Sequence, residues 1–171
     1  MRLDNGSIVI EPLAAHHDRA SFRCGNEALD RYIREQAGQD TRRSVARVFV
    51  AVSVDDRDRL LGFFTLSATS VTASHLPPEV AKRLPRHPVP AALLGRLAVD
   101  HSLARRGLGG ILLADAVKRT LAAAQTVAIA VIVVDPIDAA AQSFYAAHGF
   151  RSLDGPERRM FLTLSARSAE S

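Results

Sequence analysis

The chain has 171 residues, 47% hydrophobic and 23% charged, with a formal net charge of +4 and one cysteine. That balance suits a single globular domain with its own core and excludes a disordered or fibrous chain. Cys24 alone excludes an internal disulfide and points to a reducing, cytoplasmic compartment. The first residues do not read as a secretory signal, and no apolar run approaches the roughly 20 residues of a membrane helix. The six histidines are scattered without metal-ligand spacing, so no metal is expected. Residues 1–165 read as one domain and residues 166–171 as a flexible polar tail.

In chain order, residues 8–10 read as a short strand, placed at a sheet edge by Pro12. Asn26 is a good N-cap for a helix over residues 27–39, with Leu29, Ile33 and Ala37 on one stripe and Tyr32 beside them. Residues 45–54 and 60–66, joined by a polar turn at 55–58, read as an antiparallel hairpin. Prolines 77, 78, 85, 88 and 90 punctuate an irregular connection with a short helix at 79–84. There Lys82, Arg83, Arg86 and His87 form a dense basic patch. Residues 93–99 form a mostly apolar strand carrying Arg96, followed by a glycine turn and a helix to about Ala124. Residues 127–134 are wholly apolar and should form a strand buried on both faces. Residues 138–148 read as a helix stopped by Gly149, then two closing strands at 150–153 and 160–164 flank a turn at Asp154, Gly155 and Pro156. The pattern predicts an α/β fold: a mixed sheet with a central splayed parallel pair, 93–99 and 127–134, and flanking helices.

The glycine turn carries the clearest chemical signal. Gly107, Gly109 and Gly110 open a helix whose first N–H groups lack intrahelical partners, and Arg105 and Arg106 stand beside them. Missing Cβ atoms at Gly107, Gly109 and Gly110 would let a phosphate approach the backbone N–H groups from Gly107 through Leu108 to Gly110. The stretch is no P-loop, because no lysine followed by Ser or Thr comes after the glycines. Nor does Gly107-x-Gly109-Gly110 have the Rossmann spacing. A phosphorylated cofactor is the functional reading; a glycine-rich helix start that binds nothing is the structural one.

The stretch resembles the acetyl-CoA pyrophosphate loop of GNAT acetyltransferases, Q/R-x-x-G-x-G/A, with Ala104 standing where that family has Gln or Arg. Ala141, Phe144, Tyr145, Gly149 and Phe150 match the family's A-x-x-F-Y-x-x-x-G-F signature in the expected order. Three further segments resemble, more narrowly, the GNAT toxins of type II toxin–antitoxin modules. These are Phe22-x-Cys24-Gly25-x-x-x-Leu29-Asp30, the run from Leu61 to Leu66, and the run from Gly95 to Asp100. The resemblance implies acetyl-CoA as cosubstrate, an oxyanion donor from the backbone at Leu97, Ala98 and Val99, and Tyr145 as the acid that protonates the departing thiolate. It also implies an aminoacyl-tRNA acceptor acetylated on its α-amine, arrest of translation, a ribbon-helix-helix antitoxin partner and a homodimer.

An unperturbed tyrosine has a pKa of about 10 and can donate at neutral pH, but Tyr145 could also be a core aromatic with a bonded hydroxyl. No Glu or His stands out as general base. That suits an α-amine, with a pKa of about 7.7–8.0, better than a lysine amine near about 10.4. A buried Glu11, Asp100 or Asp135 wired to the amine would speak against this. Phosphates of RNA would be gripped by arginines and lysines, with Arg42, Arg43, Arg47, Lys82, Arg83, Arg86 and Arg96 as candidates. Arg96, inside an apolar strand, needs either a carboxylate or a ligand. An acetyltransferase of small amines or protein N-termini, and a non-catalytic acyl-CoA-binding module, remain open alternatives.

Overall fold

The computed structural model describes residues 5–84, 88–155 and 158–164. Seven strands form one sheet in the order β1-β2-β3-β4-β5-β7-β6. They are β1 (Ile8–Pro12), β2 (Arg47–Ser53), β3 (Gly62–Val71), β4 (Val89–Val99), β5 (Val131–Val134), β6 (Arg151–Ser152) and β7 (Met160–Thr163). The helices are α1 (Glu27–Arg31), α2 (Ala37–Arg42), α3 (Pro78–Ala81), α4 (Leu108–Ala123) and α5 (Ala139–Ala147). Among the described residues no helix is long and apolar enough to cross a membrane.

The proline-ended β1 takes the sheet edge, antiparallel to β2, and β2 pairs antiparallel with β3. The parallel pair joins β4 to β5, from Ala91↔Val131 to Leu94↔Val134. This registered pairing ends at Leu94 while β4 continues to Val99. All four residues of β5 are fully buried, as a wholly apolar strand between two neighbours requires.

Several boundaries differ from the sequence expectation. The first helix does not stop near Gln39: a π-helical stretch, Tyr32–Gln36, links α1 to α2, and the helix continues to Arg42. Its start is as expected, with the Asn26 side chain accepting from Leu29 N at 3.1 Å. The strand expected over 127–134 begins only at Val131. The N–H groups of Thr126 and Val127 both return to Ala123 O at 3.0 Å, which prolongs the helical exit and leaves Val127 65% exposed. β3 and β4 are longer than their apolar runs, and Pro90 is accommodated near the start of β4 with its carbonyl accepting from Ala130 N. Pro85, Arg86, His87, Pro156 and the tail at 166–171 lie outside the described residues.

The contacts divide into two compact groups. One holds the chain up to Ser67 together with Gly95–Ala116. Its core is Phe22, Ile33, Val48, Val50, Val52, Leu60, Phe63 and Ala98, with Phe22 edge-on to Phe63 at 5.5 Å. Here the pattern of Phe22, Cys24, Gly25 and Asp30 has a local cause. Gly25 takes φ 90°, and the buried Asp30 carboxylate accepts from Cys24 N at 2.9 Å. The other group holds Ala68–Leu94 and the chain from Val117 onward. Val71, Leu76, Val89, Ala91, Val131, Val133, Leu153 and Phe161 form its core.

Within the first group Gly62 sits where no side chain fits. A Cβ there would meet the Ala98 carbonyl oxygen at 2.8 Å and Leu112 Cδ1 at 2.9 Å. Because one neighbour is backbone, the strand itself must move. Gly62→Ala should therefore cost about 1–3 kcal/mol, read as a lower midpoint in denaturant unfolding. An unchanged midpoint would show that β3 and β4 are not held this closely.

Candidate active site

β4 delivers the site and Asp100 fixes how it ends. Asp100 N donates to Leu61 O at 2.8 Å, while its Oδ1 accepts from Arg23 N at 3.0 Å. Its Oδ2 accepts from Ser102 Oγ at 2.6 Å and Ser102 N at 3.2 Å, starting a short 3-10 turn at His101–Leu103. Burial pushes the Asp100 carboxyl up; the Ser102 and Arg23 hydrogen bonds, helped by His101, outweigh this and hold it below its ordinary value. The carboxylate is thus engaged by the fold on both oxygens.

After this turn the chain enters the loop. Arg105 takes φ 63°, which costs a non-glycine residue roughly 1–2 kcal/mol. Gly107, at φ 88°, adopts the left-handed region without that cost. The bond from Ile111 N to Gly107 O at 3.3 Å opens α4, so the N–H groups of Leu108, Gly109 and Gly110 precede the first intrahelical bond. Leu108 is buried and anchors the turn, Gly109, Gly110 and Arg106 are half-buried, and Arg105 and Gly107 are exposed. Along β4, Ala98 is buried while Leu97 and Val99 are half-buried. The chemistry of this donor set, successive backbone N–H groups at a sixteen-residue helix start with two arginines, fits a pyrophosphate.

Tyr145 is placed by the end of α5. Asp138 caps the helix start, accepting from Ala141 N at 2.8 Å. At the other end Phe150 N and Gly149 N donate to Tyr145 O and Ala146 O, each at 3.1 Å, with Gly149 at φ 92°. This is a Schellman stop, in which the residue after the left-handed glycine packs back on the last helical turn. Phe150 does so, edge-on to the Tyr145 ring at 5.5 Å, and Phe144 flanks that ring at 5.2 Å. Glycine supplies the turn, and the two phenylalanines clamp the tyrosine.

The two tyrosines differ in what their hydroxyls do. Tyr32 donates to the buried Asp40 carboxylate at 2.9 Å. The Tyr145 hydroxyl has no hydrogen-bond partner among the described residues, yet it is not an orphan sealed from solvent. Burial alone pushes it up to about 12. It is therefore a protonated donor with no acceptor among the described residues.

The sequence-nominated arginines scatter. Arg42 and Arg43 are exposed at the end of α2, and Lys82 and Arg83 are exposed just after α3. Arg47 is exposed at the start of β2, where it donates to Thr41 O at 3.3 Å. Arg96 lies half-buried with its guanidinium carbon 3.7 Å from the Tyr32 ring centroid. Among the described residues no carboxylate pairs with it, so the ion pair that an in-strand arginine could have made is absent. Arg19 was passed over because nothing local marks it. Its guanidinium and that of Arg42 close over Gly38, 3.2 and 3.3 Å from where a Cβ would stand, which only the fold could bring about.

The carboxylates weighed as bases are occupied. Glu11 binds the buried His17 at 2.9 Å and also Arg57, and Asp135 accepts two bonds from Arg159 at 2.8 and 3.0 Å. The fold does gather Glu11, His16 and His17, whose ligand atoms lie within 4.8 Å of one another. Here His17 Nδ1 accepts from Ala14 N, and Arg57 stands at Glu11, so hydrogen bonds already use the atoms a cation would need.

Residues 11–150 match the acetyltransferase (GNAT) family. The chain is 37% identical over 153 residues to a protein of Mycobacterium tuberculosis called a tRNA-acetylating toxin, covering 88% of this chain and 89% of that one. Its fold is similar to that of AtaT complexed with acetyl-methionyl-tRNAfMet (TM-score 0.89, 28% identity, covering 95% of this chain and 98% of that one). It is also similar to an AtaT variant bound to the C-terminus of the antitoxin AtaR and acetyl-CoA (TM-score 0.80, 26% identity, 95% and 97%).

Both tyrosines of the chain are pushed up to about 12, Tyr32 by burial and its Asp40 bond and Tyr145 by burial. The unfolded chain releases these protons near pH ~10 and the folded chain only near ~12. Between these values the folded state binds more protons, so stability should fall as pH rises through that window. Ultraviolet titration should detect no tyrosinate in the native protein at about pH 10.5. A native signal there would mean that the rings are not buried in this way.

Proposed function

The chain belongs to the GNAT acetyltransferase family, and from that premise we propose that it moves acetyl from acetyl-CoA to the α-amine of aminoacyl-tRNA, as the toxin of a toxin–antitoxin module. The reading is carried by Tyr145, a buried ring whose protonated hydroxyl has no hydrogen-bond partner among the described residues. The likeness to a tRNA-acetylating toxin and to AtaT with its acetylated tRNA supports the choice of acceptor.

In this reading the pyrophosphate rests on the N–H groups from Arg105 and Arg106 through Gly107, Leu108, Gly109 and Gly110. The backbone at Leu97, Ala98 and Val99 meets the thioester and its oxyanion. The neutral amine nitrogen attacks the thioester carbonyl carbon, the C–S bond breaks, and Tyr145 gives its proton to the leaving thiolate. The proton lost by the amine passes to water. No base is needed, because an α-amine with a pKa of about 7.7–8.0 is partly neutral at physiological pH. The occupied states of Glu11, Asp100 and Asp135 accord with this.

Arg42 and Arg43, together with Arg19, supply an exposed positive surface for RNA phosphates. Residues 1–165 act as one catalytic domain, in the cytoplasm and as a homodimer. A ribbon-helix-helix antitoxin neutralises it, in keeping with the AtaR segment seen on AtaT.

Labelled acetyl-CoA offered to charged tRNA, uncharged tRNA and free amines tests the reading. Label should appear on charged tRNA only. Tyr145→Phe should lower turnover about 10²–10⁴-fold without lowering the unfolding midpoint, because its hydroxyl bonds nothing among the described residues. Label on free amines but not on tRNA would move the protein to small-molecule acetylation. Acetyl-CoA binding without transfer would leave a binding module.

A further inference from the structure

Arg96 is charged, half-buried and placed one residue before Leu97 on β4. Its guanidinium lies on the face of Tyr32 at 3.7 Å. That ring is held from two sides: it stacks on Phe63 (centroids 6.2 Å apart, planes at 19°), and its hydroxyl is tied to Asp40. The π-helical stretch begins at Tyr32, and such stretches are frequent at functional sites. The tyrosine is therefore a fixed platform.

A guanidinium can be stacked on one face while all five of its N–H donors, which lie in its plane, remain available. None of those donors bonds an acceptor among the described residues. Several other arginines pair with carboxylates, Arg57 with Glu11, Arg151 with Glu79 and Arg159 with Asp135. At Arg96 the one buried carboxylate beside the platform, Asp40, is given to Tyr32 instead. A positive fork is thus stacked on a bonded ring, partly removed from water, and offered no acceptor by the described residues. Such a fork matches a phosphate oxygen pair.

We propose that Arg96 is a positioning residue that binds the phosphodiester nearest the aminoacylated end of the tRNA and so presents the α-amine to the acetyl group. This rests on the aminoacyl-tRNA reading given above. In an aminoacyl-tRNA the amino acid is esterified to the terminal ribose, and the nearest anion is the phosphodiester on the 5′ side of that same nucleoside. An anion anchored beside Leu97 would hold the amine within one nucleotide of the thioester. A small free amine carries no such group and would lose this contact.

The test compares wild type with Arg96→Gln and Arg96→Lys. Each is assayed for binding of charged tRNA across a salt series, for KM and kcat, and for acetyl-CoA affinity. Arg96→Gln should weaken tRNA binding and raise the KM for charged tRNA about tenfold or more. It should lower the slope of log affinity against log salt by about one and leave acetyl-CoA affinity unchanged. Arg96→Lys keeps the charge without the flat fork, so it should keep the salt slope and recover affinity only in part. It also serves if the glutamine variant does not fold. A wild-type KM and salt slope in both variants, or a fall in kcat with KM unchanged, would overturn the proposal alone. A wild type that neither binds nor acetylates charged tRNA would overturn both this proposal and the reading beneath it.

Discussion

Asp100 is the residue on which the course of the chain from β4 into the glycine loop depends. β4 must stop at a defined residue, because the glycine loop and α4 begin only a few residues later. Asp100 makes that stop by binding in three directions: through its amide to Leu61, through Oδ1 to Arg23, and through Oδ2 to Ser102. His101 N closes the knot by donating to Arg23 O at 2.7 Å. One residue thereby joins the segment before the first helix, the residue before β3 and the end of β4. Its hydrogen bonds outweigh the burial penalty, so it remains ionised and anchored.

In the proposed reading, backbone binds and a side chain acts. The pyrophosphate would rest on N–H groups at the start of α4, which side-chain substitution cannot remove, so Ala104 in place of Gln or Arg would be a modest departure. Tyr145 would be the proton donor, and three features of α5 serve its placement: the Asp138 cap, the left-handed Gly149 and the returning Phe150. The signature around Tyr145 is thus a helix-stop motif that orients a ring.

Polar groups that the fold leaves unsatisfied locate function better than those it satisfies. Tyr32, Asp30, Asp40, Asp100 and Asp135 are all bonded within the protein and explain shape. The Tyr145 hydroxyl and the Arg96 guanidinium are held in place without being consumed. Neither is a buried orphan, since every fully buried polar side-chain atom among the described residues has a partner, and in the proposed reading both lie on elements that the family resemblance connects with acetyl transfer.

The sequence by itself determined the α/β order, the parallel pair and the glycine loop, and its motif singled out Tyr145. Each is written in local terms: apolar runs, glycines at left-handed positions, a cap, and a motif with fixed spacing. It also determined the family, because two such motifs stand in order. Boundaries were less legible. The π-helical turn at Tyr32, the late start of β5 at Val131 and the passage of β4 through Pro90 depend on which hydrogen bonds win between alternatives that look alike locally. Only the tertiary structure decided which polar groups are spent. Asp100 and Glu11 looked available in sequence and are occupied, whereas Arg96 looked in need of a carboxylate and stacks on Tyr32 instead. Asp100 with Arg23, Glu11 with Arg57 and Arg96 with Tyr32 join residues dozens of positions apart, and a contact fixed by packing leaves no trace in local composition or spacing.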